Sequence, residues 1–188
     1  MMRPSLAIVL VVLACTQSRD EKRQYAAGVA AFDTVRAVLQ HPRCQNCHPA
    51  GDAPLQGDKG RVHAMNVQRG PNGYGAAAAG CTTCHGVVNP PASYGPRVPP
   101  GVPDGWHMPG PEEKLVFVGR TPRALCEQVK DEKRNGGKDM KALREHLNTS
   151  LVTWGWGPGN GRNPVTTPYA TFVAAWERWA AAGAPCPA

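Results

Sequence analysis

Two copies of one five-residue pattern decide the fold of this chain: Cys44-Gln45-Asn46-Cys47-His48 and Cys81-Thr82-Thr83-Cys84-His85. Cys-x-x-Cys-His is the pattern of covalent c-type haem attachment. Two thiols three positions apart reach the two vinyl groups of one porphyrin, and the His that follows binds the iron as its proximal ligand. The sequence therefore predicts two covalently bound haem c groups, attached at both motifs, with His48 and His85 as proximal ligands.

Three other interpretations of these cysteines are open at this stage. A zinc ribbon also uses two Cys-x-x-Cys pairs, but its usual insert is about 15–20 residues. Here residues 48–80 separate the pairs, and a ribbon does not need a His after each pair. A thioredoxin-like site needs a neighbouring strand–helix unit, where this chain has Gly, Pro and Ala. Simple disulfides are the remaining alternative for an exported protein.

The composition indicates that the side chains alone form only a small hydrophobic core. Of 188 residues, only 6% are aromatic, while 21 are Gly and 19 are Pro. Two rigid apolar haems would supply much of the interior that side chains do not. We therefore expect a mainly α, small, haem-organised cytochrome c-like fold with long Gly/Pro-rich loops, in a dihaem domain spanning 25–188.

The first residues are typical of a bacterial export signal. Arg3 precedes an apolar run at 6–13 that is too short to span a bilayer as a mature helix. Val12-Leu13-Ala14-Cys15 resembles a lipoprotein box, which predicts a signal peptide at 1–14, a lipid on Cys15 and a tether at 15–24. An ordinary secretory signal is the alternative. The predicted location is the periplasmic side, anchored by lipid to the membrane and most consistent with the outer membrane.

The charge argues against a nucleic-acid partner. The formal net charge of +7 falls to +6 once Arg3 leaves with the signal, and haem propionates would offset about four of these charges. A nucleic-acid site needs clustered Lys and Arg. Arg43, Arg61 and Arg69 lie nearest the motifs; any of them can pair with a propionate, but surface solvation is the simpler expectation for each.

Apolar spacing and capping signals predict five helices and no strands. The first covers 21–40 and ends before Pro42. A short Ala-rich helix is expected at 75–80. Further helices are predicted from Thr121-Pro122 to about 134, from Asp139 to about 147, and from Thr167-Pro168 to Gly183, the last with an apolar stripe of Phe172, Trp176 and Trp179. Residues 151–166 are predicted to be loop.

Two cysteines remain outside the motifs, Cys126 and Cys186. In an oxidising compartment they are expected to form a disulfide that ties the 121–134 helix to the C-terminus. Two buried free thiols are the alternative.

The sequence leaves the second axial ligand of each iron open. His63 and His107 are the preferred candidates, because each lies in a non-helical segment that can fold over a haem. Met would raise the reduction potential relative to His. His146, Met65 and Met108 are the second-choice candidates for the distal ligand. His41 and Met140 are the remaining candidates.

The chain resembles a family of bacterial dihaem c-type cytochromes often labelled isoquinoline 1-oxidoreductase subunit. The resemblance covers nearly the whole mature chain and rests on these stretches: His41 to Pro49, Gly51 to Asp58, Val67 to Pro71, Trp106-His107-x-Pro109, Asn135-Gly136-Gly137 and Trp154-Gly155-Trp156. It implies an electron carrier linked to a molybdenum hydroxylase or a similar periplasmic dehydrogenase. The family often has Leu where this chain has Met108, which favours His107 as the ligand.

The predicted function is single-electron transfer by a periplasmic dihaem cytochrome, rather than catalysis. The alternative is a dihaem peroxidase or small-molecule reductase, which needs one iron with an open distal position. A gas or redox sensor is a third class, but the chain shows no signalling partner domain. No Gly-rich nucleotide loop of the usual form is present.

Overall fold

The computed structural model describes residues 5–96 and 98–188, with side chains from residue 19 onward. This part of the chain is mainly α-helical, as predicted. Its α-helices are α1 (Ser5–Leu39), α2 (Pro42–Gln45), α3 (Pro122–Lys130), α4 (Met140–His146), α5 (Ser150–Thr153) and α6 (Tyr169–Ala181). Short 3-10 helices lie at Ala64–Asn66, Cys81–Thr83, Ala92–Tyr94, Pro111–Glu113 and Trp154–Trp156.

The core forms where α1 packs against α6. Phe32 of α1 and Trp179 of α6 are fully buried, with ring centroids 4.9 Å apart. Phe172 and Trp176 are buried on the same stripe of α6, which confirms the apolar face predicted for this helix. Burial of such large side chains supplies most of the stabilisation of a small core.

The C-terminal segment is held against both α1 and α3. Cys186 forms a disulfide with Cys126 of α3, with an S–S distance of 2.08 Å, so this predicted pair is confirmed. Gly28 of α1 permits the close approach, because an added Cβ there would lie 2.6 Å from Pro185.

Helices α3 and α4 begin at the predicted capping residues. Thr121 Oγ1 and Asp139 Oδ1 each accept a hydrogen bond from the backbone N–H three residues on, at 3.2 and 2.7 Å. These bonds satisfy N–H groups that have no partner within the helix. The predicted end of α3 near residue 134 is wrong, because the backbone becomes extended at Asp131, with ψ of 104°.

Residues 75–80 form a β-hairpin, so the short helix predicted there is wrong. Strand β3 (Gly75–Ala76) pairs antiparallel with β4 (Ala79–Gly80), after β1 (Leu55–Gln56) has paired with β2 (Arg61–Val62). Gly75 has a φ of +95°, which lies outside the right-handed helical region. Ala-rich composition favours a helix, but this local turn overrides it, and two-residue strands are too short to show alternation.

The segment predicted as loop at 151–166 begins instead with helical turns, α5 and the 3-10 helix Trp154–Trp156. Trp156 Nε1 donates a hydrogen bond to the Thr167 carbonyl at 2.6 Å. This bond ties the turn to the segment that leads into α6.

Helix α1 is longer than the predicted 21–40 helix, since it begins at Ser5. Residues 15–24, predicted as a tether, lie within the range of α1. Residues 1–4 of the predicted signal peptide, and the side chain of Cys15, lie outside the described residues. No helix in the described ranges combines the length and the apolar composition needed to span a membrane.

Candidate haem-binding sites

Both Cys-x-x-Cys-His motifs fold into the same helical turn. The Cys47 N–H donates to the Cys44 carbonyl at 3.3 Å, and the Cys84 N–H donates to the Cys81 carbonyl at the same distance. The first turn starts in the last residues of α2 and continues past its end, and the second starts with the 3-10 helix Cys81–Thr83. Residues three apart on such a turn share one side, so each motif presents two thiols together.

The four motif cysteines are free thiols, unlike the disulfide-bonded Cys126 and Cys186. Burial raises the pKa of Cys44 to about 12 and that of Cys47 to about 11. A redox-active Cys-x-x-Cys pair requires a lowered thiol pKa. The first motif therefore lacks the electrostatics of a thioredoxin-like site.

The His of each motif is held through one ring nitrogen. His48 Nδ1–H donates to the Leu115 carbonyl at 2.9 Å, and His85 Nδ1–H donates to the Pro100 carbonyl at 2.8 Å. Because a carbonyl can only accept, each Nδ1 carries the proton and each Nε2 keeps its lone pair. This is the tautomer and the supporting bond that metal-ligating imidazoles use.

An aromatic ring stacks on each of these imidazoles. Phe117 lies against His48 with centroids 4.0 Å apart and planes at 18°, and Trp106 lies against His85 at 4.8 Å and 9°. Burial lowers the pKa of both His residues, that of His48 to about 4. Both rings are thus held neutral and fixed in orientation.

The first site opens into a cavity in the middle of the protein. Cys44, Cys47 and His48 line one part of it, and His107, Met108 and His146 line it as well. The remaining wall is mostly apolar and comes from α1, α3, α4 and α6, through Val38, Leu39, Val129, Leu143, Leu147, Phe172 and Trp176. The cavity therefore brings the first motif together with three of the sequence-predicted ligand candidates.

Two polar atoms on the wall of this cavity lack partners. The Nε1 of Trp176 and the Nε of Arg43 are buried without a hydrogen bond among the described residues. An unpaired buried N–H costs about 1–3 kcal/mol. Haem carries two carboxylates, so a haem in this cavity brings acceptors for such donors, and the lining residues fit the group.

The second site places His63 opposite His85. Their ring centroids are 6.2 Å apart, with planes at 57°. A His nitrogen binds a metal at about 2.0–2.1 Å, so two imidazoles on opposite sides of one metal have centroids roughly 6 Å apart. The Nδ1 of His63 donates to the Ala64 carbonyl at 2.8 Å, which leaves its Nε2 free to bind. The spacing and the tautomer fit two axial ligands of one iron.

Unlike the first, the second site lies at the surface. Cys84 is exposed, and so are large apolar side chains next to His63 and His85 in sequence, namely Val62, Met65, Val87 and Val88. Exposed apolar side chains near a site favour its coverage by another apolar body. A haem held by His63 and His85 would cover part of this exposed surface.

The two sites adjoin each other. Burial comes first among the causes that raise the pKa of the Cys47 thiol, and the nearby Cys81 thiol comes second. Cys47 belongs to the first motif and Cys81 to the second, so the two motifs lie close enough to interact electrostatically although residues 48–80 separate them in the chain.

Two of the three arginines near the motifs are buried, so the surface solvation expected for them is wrong. Arg43 forms an ion pair with Asp58. Arg69 donates to the carbonyls of Pro109 and Gly51 at 2.6 and 3.0 Å. Buried guanidinium groups need such partners, and Arg69 thereby joins the loop after the first motif to the loop after His107.

The remaining candidates are placed less favourably. Met65 is 85% exposed, with φ of +63°, and His41 caps α2 by accepting from the Arg43 N–H. Sequence reasoning missed the aromatic partners Phe117 and Trp106. A signal existed for Trp106, because it directly precedes His107 in a Pro-rich segment where aromatic residues are few.

Within the described ranges, no group of three or more His, Cys, Asp and Glu side chains is arranged to hold a metal ion on its own. A haem iron takes at most two axial ligands from the protein, so such a cluster is not required by either site. No known protein family, curated protein or solved structure matches this chain.

Proposed function

We propose that this protein is a dihaem c-type cytochrome that carries single electrons. The observation that supports this most is that the two motifs have the same local structure and the same supporting contacts. Each has a turn that presents two thiols, an imidazole fixed through Nδ1 to a carbonyl, and an aromatic ring stacked on that imidazole. Two Cys-x-x-Cys-His sequences that arose by chance would have no reason to share the same contacts to their imidazoles.

In this proposal the chain's own residues hold and orient the cofactors. Cys44 and Cys47 attach the first haem and Cys81 and Cys84 attach the second. His48 and His85 are the proximal ligands. Haem supplies reversible one-electron chemistry, while ligand type, burial and hydrogen bonding by the protein set its potential.

His63 is the proposed distal ligand of the second haem, because it faces His85 across 6.2 Å. His107 is the proposed distal ligand of the first. Its Nδ1 donates to the Gly105 carbonyl at 3.1 Å and its ring stacks on Tyr74 at 4.8 Å, so its orientation is fixed. The reserve ligands for this site are His146 and Met108, which line the same cavity.

The two sites suit different tasks. The first haem would lie among apolar side chains in the core, where solvent and small molecules have little access. The second would lie at the surface, where electrons can be exchanged with a partner protein. Two haems with both axial positions filled by the chain favour electron transfer over peroxide or small-molecule chemistry, which requires an open position.

The family resemblance supplies the proposed partner and location. The partner is a periplasmic dehydrogenase, with a molybdenum hydroxylase as the first candidate, and docking would be transient and aided by complementary charge. Export and a lipid on Cys15 would hold the protein at the membrane. Replacement of Cys15 by Ser should release the protein from the membrane fraction; retention there would contradict lipid anchoring at this residue.

The attachment sites are tested by removing them one at a time. After expression with a haem-maturation system, a Cys44→Ala/Cys47→Ala variant and a Cys81→Ala/Cys84→Ala variant should each carry one haem. A Cys126→Ala/Cys186→Ala control should carry two. The wild-type spectrum should show two low-spin haems that do not react with cyanide or peroxide. A high-spin haem that turns over peroxide would instead establish the peroxidase alternative.

A further inference from the structure

One indole forms part of both candidate sites. Trp106 stacks on His85, the proximal ligand proposed for the second haem, with planes only 9° apart. The same side chain lines the cavity of the first site, together with Cys47 and His48. It is therefore placed between the two cofactors that the proposed function requires.

Trp106 is held in this place by neighbours that also serve the second site. The edge of its ring meets Trp154 at 4.8 Å and 90°. Trp154 Nε1 donates to Asn89 Oδ1 at 3.1 Å, and the same oxygen accepts from the Gly101 N–H at 3.2 Å. Gly101 follows Pro100, whose carbonyl orients His85. One hydrogen-bonded unit thus fixes both the indole and the imidazole on which it stacks.

The first site has a corresponding aromatic ring, but that ring is not shared. Phe117 stacks on His48 and is buried in the core cluster, and it is not among the aromatic contacts of His85. This difference distinguishes Trp106 from Phe117. If Trp106 were needed only to orient His85, it would not also have to line the cavity of the first site.

We propose that Trp106 couples the two haems, orienting His85 and providing the packed contact through which an electron passes between the sites. This inference rests on the proposed dihaem function. With haems held at both sites, one electron would pass from a ferrous haem at one site to a ferric haem at the other, with no proton moved and no bond formed or broken. Trp106 binds neither iron and acts as a positioning residue.

The experiment compares holoprotein variants Trp106→Leu and Trp106→Phe with the matched control Trp179→Phe, which is buried in the core and is not among the residues lining the first cavity. Two bound haems are first verified in each by mass. Electron paramagnetic resonance then reports ligand orientation at each haem. Rapid photoreduction, followed optically, reports how fast the electron redistributes between them.

Trp106→Leu should slow the redistribution several-fold and change the resonance of the haem bound by His85. Trp106→Phe should cause smaller changes of the same kind, since it keeps one aromatic ring, and Trp179→Phe should leave both the redistribution rate and the resonance of the haem bound by His85 unchanged. A wild-type rate and spectrum in Trp106→Leu would overturn the proposal. If that variant loses haem, an unchanged Trp106→Phe overturns it instead. Wild-type protein without two haems would refute the proposed function itself.

Discussion

Replacement of His63 by Ala is expected to convert one haem, and only one, from low spin to high spin. The centroids of His63 and His85 are 6.2 Å apart, close to the roughly 6 Å required of two imidazoles on one metal. His63 belongs to the surface site, and the first cavity is not lined by it. The first haem should therefore keep both of its ligands.

The magnitude follows from this count of ligands. One haem of the two loses its distal imidazole, so half of the low-spin signal should disappear and be replaced by a high-spin signal of the same amount. Optical spectra and electron paramagnetic resonance measure both fractions. Added free imidazole should restore the low-spin state, because it fills the vacated position without changing the fold.

Met65→Ala is the matched control, since Met65 is two residues from His63 and is 85% exposed. It should keep the full low-spin signal. A full low-spin signal in His63→Ala would refute the pairing of His63 with His85. If Met65→Ala removed half of the signal instead, the distal ligand would be the thioether and not the imidazole.

The disulfide and one ion pair give two further predictions. Cys126 and Cys186 are 60 positions apart, so the chain-entropy relation predicts that a Cys126→Ala/Cys186→Ala variant loses about 4 kcal/mol of unfolding free energy in denaturant titrations; a loss below about 1 kcal/mol would contradict this. The hydrogen bond and charge of Lys114, and after them the charge of Arg69, lower the pKa of Asp52 below 3.8. The ionised Asp52 therefore stabilises the folded protein above about pH 4, and this contribution is lost as the pH falls through the lowered pKa. Asp52→Asn should therefore show a smaller loss of stability on acidification than wild type, and equal acid sensitivity of the two would contradict the role of this pair.

The sequence predicts best those features that depend on short-range signals. The capping role of Thr121 and Asp139 and the buried stripe of α6 each follow from spacing a few residues long. The Cys126–Cys186 disulfide was predictable because the other described cysteines belonged to the two motifs. The mainly α class followed from the same helical patterns.

Features that depend on contacts between distant parts of the chain could not be predicted from local sequence patterns. Gly75 turns the chain at positive φ although the surrounding Ala residues favour a helix. Arg43 and Arg69 are buried because their partners come from distant loops. The position of Trp106 between the two sites depends on how the segments after each motif pack against each other. No local sequence pattern predicts that packing.

The central claim is that two haems are covalently attached to this chain, and the most direct test is the intact mass of the protein purified after expression with a haem-maturation system. The account predicts a mass increased by two haem groups, with peptides containing Cys44 and Cys81 each carrying one. An unmodified mass, in cells that load haem onto another c-type cytochrome, would contradict it.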